Sequence, residues 1–407
     1  MSDANSREDR LIDPPPRCPS AAPSTAQVVA SLSSLDTARE ALRLDATRQA
    51  GFTSERIPHW MFRHRPILFD DGPAHDEHRA QLARFFAPRV LRERHGEFIT
   101  ATADAAVREA VVIAHTAGAC RVDEIALHFS VRVASQIVGL TESDAVARSR
   151  RLTRFFRQPP VDHTRTDYGR TTRQWITAAG RALGPLLVFH LRDVMPAVRA
   201  RKRKPRDDII SYLLDRGYGR IEILMECLTY GTAGMVTTRE FICAALWHLL
   251  REDRLRTHYL ESDEAGRHAL LHEIIRLEPP VGHLYRRVQG TAEKPAAAPA
   301  CPYSPGTLID IHVRDTNTDA ATYGPDAGRI ILDRDLPASE RSGLSFGDGS
   351  HRCPGAPLAL METDALILAL LRAKPLLRSE PRVEWDTLIE GYQLRDFELS
   401  FDAPGAS

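Results

Sequence analysis

The chain has 407 residues, in which 54 lysines and arginines balance 54 aspartates and glutamates, so the formal net charge is zero. That balance gives no electrostatic argument for nucleic-acid binding. The length is ample to bury a large core around a ligand. The cysteines are scattered without a C-x-x-C pair, which excludes a disulfide framework and a zinc pattern. The six cysteines are Cys18, Cys120, Cys227, Cys243, Cys301 and Cys353.

The first residues of the chain are polar and charged, from Met1 to Arg10, and contain no apolar core of a signal peptide. No run of about 18 apolar residues occurs along the chain. We therefore predict a soluble, cytoplasmic protein with reduced thiols and no membrane anchor.

Helical patterns dominate the chain, and the strand patterns are few and short. Residues 1–25, with Pro14-Pro15-Pro16 and many serines and alanines, predict a flexible arm. Residues 52–69 form an irregular apolar loop, which is typical of a pocket lining. Helices are predicted over 26–50, 74–86, 89–118, 123–138, 142–156, 168–200, 207–215, 221–251, 265–277 and 356–373. Strands are predicted over 281–289, 307–313 and 391–402.

The stretch from Phe346 to Gly355 places one cysteine, Cys353, between glycines and directly before a predicted helix. Such a cysteine could be a buried structural thiol, half of a disulfide, a zinc ligand, a nucleophile or a thiolate ligand of haem iron. The N-terminus of a helix stabilises a thiolate through its dipole and free N–H groups. Glycines allow the backbone to approach a flat ligand and to take positive φ angles.

This stretch resembles the haem-binding signature of the cytochromes P-450, which it matches at nine residues within seventeen positions. The resemblance implies that Cys353 is the axial thiolate ligand of haem iron, and that Phe346 shields its thiolate side. A buried, inert cysteine is the alternative. The matching residues are Phe346, Gly347, Gly349, His351, Cys353, Gly355, Leu358, Ala359 and Glu362.

Other residues match the family's partners of the haem propionates. His75 and Arg79 resemble its His-x-x-x-Arg motif, and Arg286 follows Pro280 at the family's spacing. The resemblance implies that these side chains and His351 bind the propionates. Because Arg287 is adjacent to Arg286, the register could differ by one residue.

Three further segments match motifs of the family. Glu273 and Arg276 resemble the family's Glu-x-x-Arg ion pair on the thiolate side of the core, although such pairs on helices are commonly solvated. The segment 315–319 matches a second motif incompletely, because Thr318 stands where arginine is usual. The segment 331–334 resembles a third motif, which ends in Arg334.

Ala233, Gly234, Thr237 and Thr238 resemble the family's Ala-Gly-x-Asp/Glu-Thr-Thr segment, which crosses over the iron. The resemblance implies that Ala233 and Gly234 open a groove for dioxygen and that Thr237 helps to deliver protons. Val236 replaces the usual acid, which leaves open oxidative coupling without oxygen insertion, or the use of peroxide. In the other interpretation, both threonines only bond the helix backbone.

The resemblance as a whole implies a mainly α fold, a helical prism with small β-sheets around a buried haem b, in one catalytic domain over 26–407. The implied reaction is monooxygenation of a small organic substrate. Electrons would come ultimately from NAD(P)H through a separate ferredoxin and ferredoxin reductase. The arginine- and alanine-rich composition is compatible with a high-GC bacterium and a role in secondary metabolism.

Two alternatives to a monooxygenase remain, a haem-thiolate oxidase and a non-catalytic haem sensor. Thr237 and the apolar loop favour an enzyme over a sensor. The predicted substrate contacts are Trp60, Phe62, Met235, Leu284 and Leu394.

Overall fold

The structure is a computed structural model, and it describes residues 8–13, 27–52, 55, 62–289 and 302–402. The helices in these ranges are α1 Leu35–Arg43, α2 Pro73–Phe86, α3 Pro88–Ala117, α4 Val122–Val138, α5 Ala145–Thr153, α6 Thr172–Phe189, α7 Met195–Arg203, α8 Ile209–Asp215, α9 Arg220–Arg251, α10 Asp253–Glu261, α11 Glu264–Leu277, α12 Val313–Thr316, α13 Ala320–Tyr323 and α14 Ala356–Arg372. The strands are β1 Val29–Leu32, β2 Thr47–Gln49, β3 Cys120–Arg121, β4 His283–Val288, β5 Leu308–His312, β6 Pro375–Ser379, β7 Arg382–Asp386, β8 Gly391–Arg395 and β9 Glu398–Phe401.

Helix α9 runs through the centre of the molecule and packs against α4, α11 and α14. Its segment 241–247 is apolar on every side, and the residues from Phe241 to Ala245 are at most 1% exposed. A helix that is apolar all round is stable only when neighbours cover each of its faces. The surrounding helices therefore hold α9 in a fixed position.

In the described part of the chain, three small sheets lie beside the helices. In the largest, the strand order is β1-β5-β4-β2, with β1 parallel to β5 and the other pairs antiparallel. A second sheet has the order β3-β9-β6, and β7 pairs with β8 in a hairpin. The prediction of a mainly helical fold with small sheets is confirmed.

The predicted helix over 26–50 is wrong at both ends, because β1 and β2 flank a short α1. These strands pair with β5 and β4, more than 200 residues away, and local sequence patterns do not reveal such distant partners. The sequence patterns also missed β6 and β7, although these strands pair with β9 and β8 nearby in the chain. The predicted helix 168–200 is divided by a π-helical turn, His190–Val194, between α6 and α7.

Part of the predicted N-terminal arm is packed against the domain. Ile12 is 1% exposed in the main hydrophobic core. The backbone N–H groups of Leu11 and Ile12 donate to Oε1 of Glu278 at 2.7 and 3.2 Å. Residues 8–13 are therefore not a loose arm, since apolar burial and buried hydrogen bonds outweigh the disorder that their composition suggested. The rest of the predicted arm lies outside the described residues.

One helical stretch in the described ranges, Gly349–Arg372, has the length and apolar composition of a membrane span. In this molecule 56% of its apolar window is buried against other parts of the chain. Core helices share this composition, so the stretch is no argument for a membrane span.

Candidate functional site

The backbone around Cys353 forms a tight loop that ends at the N-terminus of α14. The N–H of Cys353 donates to the carbonyl oxygen of Phe346 at 2.7 Å, which closes the loop. Gly347 and Gly349 both have a φ of +67°. A Cβ atom at Gly349 would also overlap the carbonyl oxygen of Leu42, at the end of α1. The close packing of α1 against the loop therefore requires a glycine at this position.

Cys353 is accessible although protein atoms surround its thiol deeply. Burial raises the pKa of this thiol. The backbone N–H groups of Gly355 and Ala356 and the guanidinium groups of Arg79 and Arg352 act in the opposite direction. These groups favour the thiolate form, which is the form that binds metal.

His75, in the first turn of α2, has one ring nitrogen without a partner. Its side chain is fully buried, and Nδ1 lies 3.0 Å from Oδ1 of Asp76. Its Nε2 atom is buried and has no hydrogen-bond partner among the described residues. The ring stacks on the ring of His351, with centroids 4.3 Å apart. A buried polar atom without a partner costs free energy, and with Nδ1 directed at Asp76 the Nε2 atom donates to an anion when the ring carries a proton on both nitrogens.

Arg286 is a second buried donor, at 5% exposure in β4. It donates to the side chain of Gln49 and to the carbonyl oxygen of Tyr285, and no carboxylate in the described part of the chain forms an ion pair with it. Burial lowers the pKa of Arg286 to about 10, against the attraction of Asp71. A buried charge without a counter-ion is costly, so the guanidinium of Arg286 favours an anionic partner.

Arg287 faces the other way, and its Nε and Nη2 atoms bind the carboxylate of Glu55 at 3.1 and 2.9 Å. Arg286 is therefore the interior cation of the two, and its role as the propionate partner stays a prediction. Together, His75 and Arg286 supply buried donors suited to two carboxylate groups, and Cys353 is accessible. These residues fit a haem group with a thiolate ligand and two propionates.

Two other predicted propionate partners have protein partners. Arg79 donates to the carbonyl oxygen of Arg352, beside the cysteine. Nε2 of His351 lies 3.0 Å from Oδ1 of Asp71, and Asp71 also accepts the N–H of Gln49 at 3.1 Å. The sequence did not indicate that Asp71 would engage His351.

The predicted oxygen-side segment lies in the middle of α9. Ala233 is exposed and Thr237 half-buried, so this side of the helix is accessible. Oγ1 of Thr237 donates to the carbonyl oxygen of Ala233 at 2.7 Å, which leaves its lone pairs free to accept. Gly234 lies where a Cβ atom would be 3.6 Å from Cβ of Ala134, in α4, and Thr238 is buried.

Two predicted substrate contacts are wrong. Met235 is 1% exposed and Leu394 is 0% exposed, and both pack in the main core. Met235 lies two positions before Thr237, so it faces nearly the opposite side of the helix. Leu394 belongs to the inner face of β8, where its N–H donates to Oε2 of Glu240 at 2.7 Å.

The structure describes two of the three other predicted substrate contacts, and both are half-buried. Leu284 is half-buried and lies near the cysteine loop, since a Cβ atom at Gly347 would be 3.9 Å from its Cδ1 atom. Phe62 is half-buried in the segment before α2. Trp60 lies outside the described residues.

The Glu273–Arg276 pair is buried and bidentate, with both N–O distances 2.9 Å. Arg276 is 0% exposed, and its remaining donors reach the carbonyl oxygens of Asn317, Ala327 and Arg329 at 2.6–3.0 Å. Arg334 completes a triad, because its Nε donates to Oε2 of Glu273 at 3.1 Å. Sequence reasoning singled out the motif that ends in Arg334 but missed this role.

Glu226 is a buried carboxyl that sequence reasoning missed. It is 1% exposed, and its Oε1 atom accepts the N–H of Ile67 at 2.9 Å. Its Oε2 atom has no hydrogen-bond partner among the described residues. Burial raises its pKa to about 8, against smaller effects of the Ile67 N–H and the Tyr230 hydroxyl. The signal in the sequence was a 4-3-4 spacing through residues 226, 230, 233 and 237, which places them on one face of α9.

No family model matches the chain. Cytochrome P-450 130 of Mycobacterium tuberculosis is 26% identical over 335 residues, which cover 79% of this chain and 74% of that protein. Biflaviolin synthase of Streptomyces coelicolor is 27% identical over 350 residues, which cover 82% and 77%. A mutant of the cytochrome P-450 EryK, in complex with erythromycin B, has a similar structure, with a TM-score of 0.72 at 18% identity over 93% of this chain and 92% of that one.

The relatives, the fold and the geometry around Cys353 agree with one another. Relatives of this kind use haem b with an axial cysteine thiolate and electrons derived from NAD(P)H. The chain is a cytochrome P-450 of the bacterial kind, a haem-dependent monooxygenase.

Proposed function

We propose that this cytochrome P-450 oxidises or hydroxylates a small organic substrate as a tailoring step in secondary metabolism, with Cys353 as its axial ligand. The observation that carries the assignment of Cys353 is its accessibility, with the N–H groups of Gly355 and Ala356 directed toward its thiol. The similarity to biflaviolin synthase supports the metabolic role.

His75 and Arg286 would bind the two propionates, since Nε2 of His75 is buried without a hydrogen-bond partner and Arg286 has no carboxylate partner among the described residues. The charge of Arg79 opposes the effect of burial on the pKa of Cys353, so this side chain would add positive charge near the thiolate. Phe346 and Gly355 would border the thiolate. When bound, haem supplies the oxidising chemistry, and the chain supplies the ligand, the protons and a shaped pocket.

Protons need a route to Thr237, because Val236 carries no titratable group. Glu226 lies on the same face of α9, with Tyr230 and the exposed Ala233 between it and Thr237. With a pKa of about 8, its carboxyl holds a proton at neutral pH and can release it without a large cost. We assign Glu226 as the internal proton donor in place of an acid at position 236.

Electrons would come from a separate ferredoxin and its reductase. Arg352 is exposed beside Cys353 and is the candidate docking cation. We further propose that the protein is cytoplasmic and that residues 26–407 form one catalytic domain, to which residues 8–13 are attached.

A second candidate function is oxidative coupling without insertion of oxygen. Val236 favours it, since this residue is 3% exposed and packs in the core, so no carboxylate stands beside Thr237 at this position. The name of the relative biflaviolin synthase indicates a synthesis, not a hydroxylation. Incubation with labelled dioxygen separates the two functions, because only the monooxygenase places the label in its product.

The assignment of Cys353 is tested by the spectrum of the reduced protein with carbon monoxide. We expect a band near about 450 nm, the mark of thiolate ligation, and its loss in Cys353→Ser. Cys120→Ser is the control, because Cys120 is a buried thiol in β3. A Cys353→Ser protein that keeps the band would rule out Cys353 as the ligand.

A further inference from the structure

A cluster of two histidines and one aspartate, residue types that can bind metal ions, lies on one face of the β4–β5 ladder. In the antiparallel register, His283 stands opposite His312, and Tyr285 stands opposite Asp310. Alternate residues of a strand share a face, so His283, Asp310 and His312 project to the same side. Leu284 and Arg286, which belong to the haem site, project to the other side. The cluster is therefore separate from the site described above.

The distances within this cluster are those of groups that converge on one point. Nδ1 of His283 lies 2.7 Å from Oδ1 of Asp310, and Nε2 of His312 lies 3.3 Å from Oδ2 of the same carboxylate. The two imidazole rings have centroids 4.6 Å apart. One ligand atom from each of the three residues lies within 4.8 Å of the others.

A fourth oxygen donor lies close by, on the turn between β7 and β8. Oε2 of Glu390 is 3.8 Å from Nδ1 of His283, and the same carboxyl accepts the hydroxyl of Tyr285. Asp315 adds a further carboxylate, 3.5 Å from Nδ1 of His312. Three carboxyl groups thus surround two imidazoles, which makes the place attractive to a cation.

The site combines a rigid base with access from outside. The side chain of Asp310 is 7% exposed, whereas those of His283 and Glu390 are 25% exposed and that of His312 is 35% exposed. Asp310 and both histidines belong to paired strands or their ends, and strands hold side chains in more fixed positions than loops do. An ion could enter past the histidines and reach the carboxylate beneath them.

We propose that His283, Asp310 and His312 bind a divalent transition-metal ion, with Zn²⁺ as the first candidate and Glu390 as a fourth ligand. Two imidazoles with carboxylate oxygens are a donor set that Zn²⁺ accepts at about 2.0–2.2 Å. The ion would replace the hydrogen bond between His283 and Asp310 and the close contact of His312 with the same carboxylate. This inference is independent of the proposed oxidation.

A metal here would join two segments that already touch. A Cβ atom at Gly282 would overlap the carbonyl oxygen of Glu390, so the hairpin turn packs directly on the start of β4. A bridge from His283 to Glu390 would fix that contact. Leu284, on the opposite face of β4, borders the cysteine loop, so the ion would stiffen one wall of the haem site.

The test is Zn²⁺ binding to the haem-containing protein after chelator treatment and buffer exchange, measured by competition with a chromophoric chelator. We expect one ion per unchanged chain, and binding at least about tenfold weaker in His283→Gln and His312→Gln. His163→Gln is the matched control, because its ring lies 4.9 Å from that of Tyr285, at the edge of the cluster, without being a proposed ligand. It should bind Zn²⁺ as the unchanged chain does.

Folding of each variant is checked by its haem spectrum and its urea midpoint, and Asp310→Asn offers a third variant of nearly unchanged shape. Equal Zn²⁺ affinity in the unchanged chain and in the two histidine variants would overturn the proposal. Failure of the unchanged chain to bind one equivalent of Zn²⁺ would overturn it as well. Neither result depends on the oxidation of any substrate.

Discussion

Arg286 and Arg287 are consecutive residues of β4 that project to opposite sides of the sheet, and among the described residues only Arg287 has a carboxylate partner, Glu55. The difference follows from the alternation of side chains along a strand. Arg286 is thus available in the interior for a bound anion, whereas Arg287 holds Glu55 near the sheet.

Replacement of Arg286 should therefore weaken haem binding. Removal of a charged hydrogen-bond partner costs about 1.5–3 kcal/mol, so we expect haem affinity to fall roughly ten- to a hundredfold in Arg286→Gln. Arg287→Gln is the matched control and should keep its haem. The ratio of haem absorbance to protein measures both. Equal losses in the two variants would contradict the assignment of Arg286.

Glu273→Gln should destabilise the protein strongly. Arg276 is 0% exposed, and loss of the carboxylate leaves its charge buried without a counter-ion. Such a change costs about 3–5 kcal/mol in the free energy of unfolding, whereas an exposed pair contributes about 1 kcal/mol or less. Glu93→Gln, which breaks the exposed pair of Arg89 and Glu93 on α3, is the control. Urea midpoints that fall equally in both variants would show that the buried triad contributes no more to the free energy of unfolding than the exposed pair does.

Glu226 should make the stability of the protein depend on pH. Burial raises the pKa of this carboxyl from 4.5 to about 8, so between these values the folded chain keeps a proton that the unfolded chain has lost. Its contribution to stability is therefore fully present below the unfolded-state pKa and is lost as the pH rises through the folded-state pKa.

We expect the urea midpoint of the unchanged chain to fall more between about pH 6 and about pH 9 than that of Glu226→Gln, which cannot titrate. Glu93→Gln is the control, because it removes an exposed carboxyl group on α3, away from Glu226. Parallel pH profiles for the unchanged chain and Glu226→Gln would argue against a raised pKa.

The sequence predicted the fold and the place of Cys353 because both depend on local patterns. Apolar periodicity located α2, α3, α4 and α9 nearly to the residue. Apolar periodicity does not reveal contacts between segments that are distant in the chain. Asp71 meets His351, and Arg334 meets Glu273, only because the chain folds back over many residues. The errors at Met235 and Leu394 have the same origin, since resemblance gives the segment that borders a pocket but not which of its side chains face inward.

Val236→Asp tests the proton supply directly. If delivery to Thr237 limits turnover, the new carboxyl should raise the rate of dioxygen-dependent product formation. The same change should lower stability by about 1–3 kcal/mol, because position 236 is 3% exposed and a polar group there loses its hydration. Val236→Asn has the same shape and burial but no proton to give, so it should lose stability without a gain in rate. Product formation per haem, with consumption of NAD(P)H measured in parallel, separates the two variants. A faster Val236→Asp alone would mean that Glu226 supplies protons less well than an acid beside Thr237, whereas equal rates in both variants would place the slow step elsewhere.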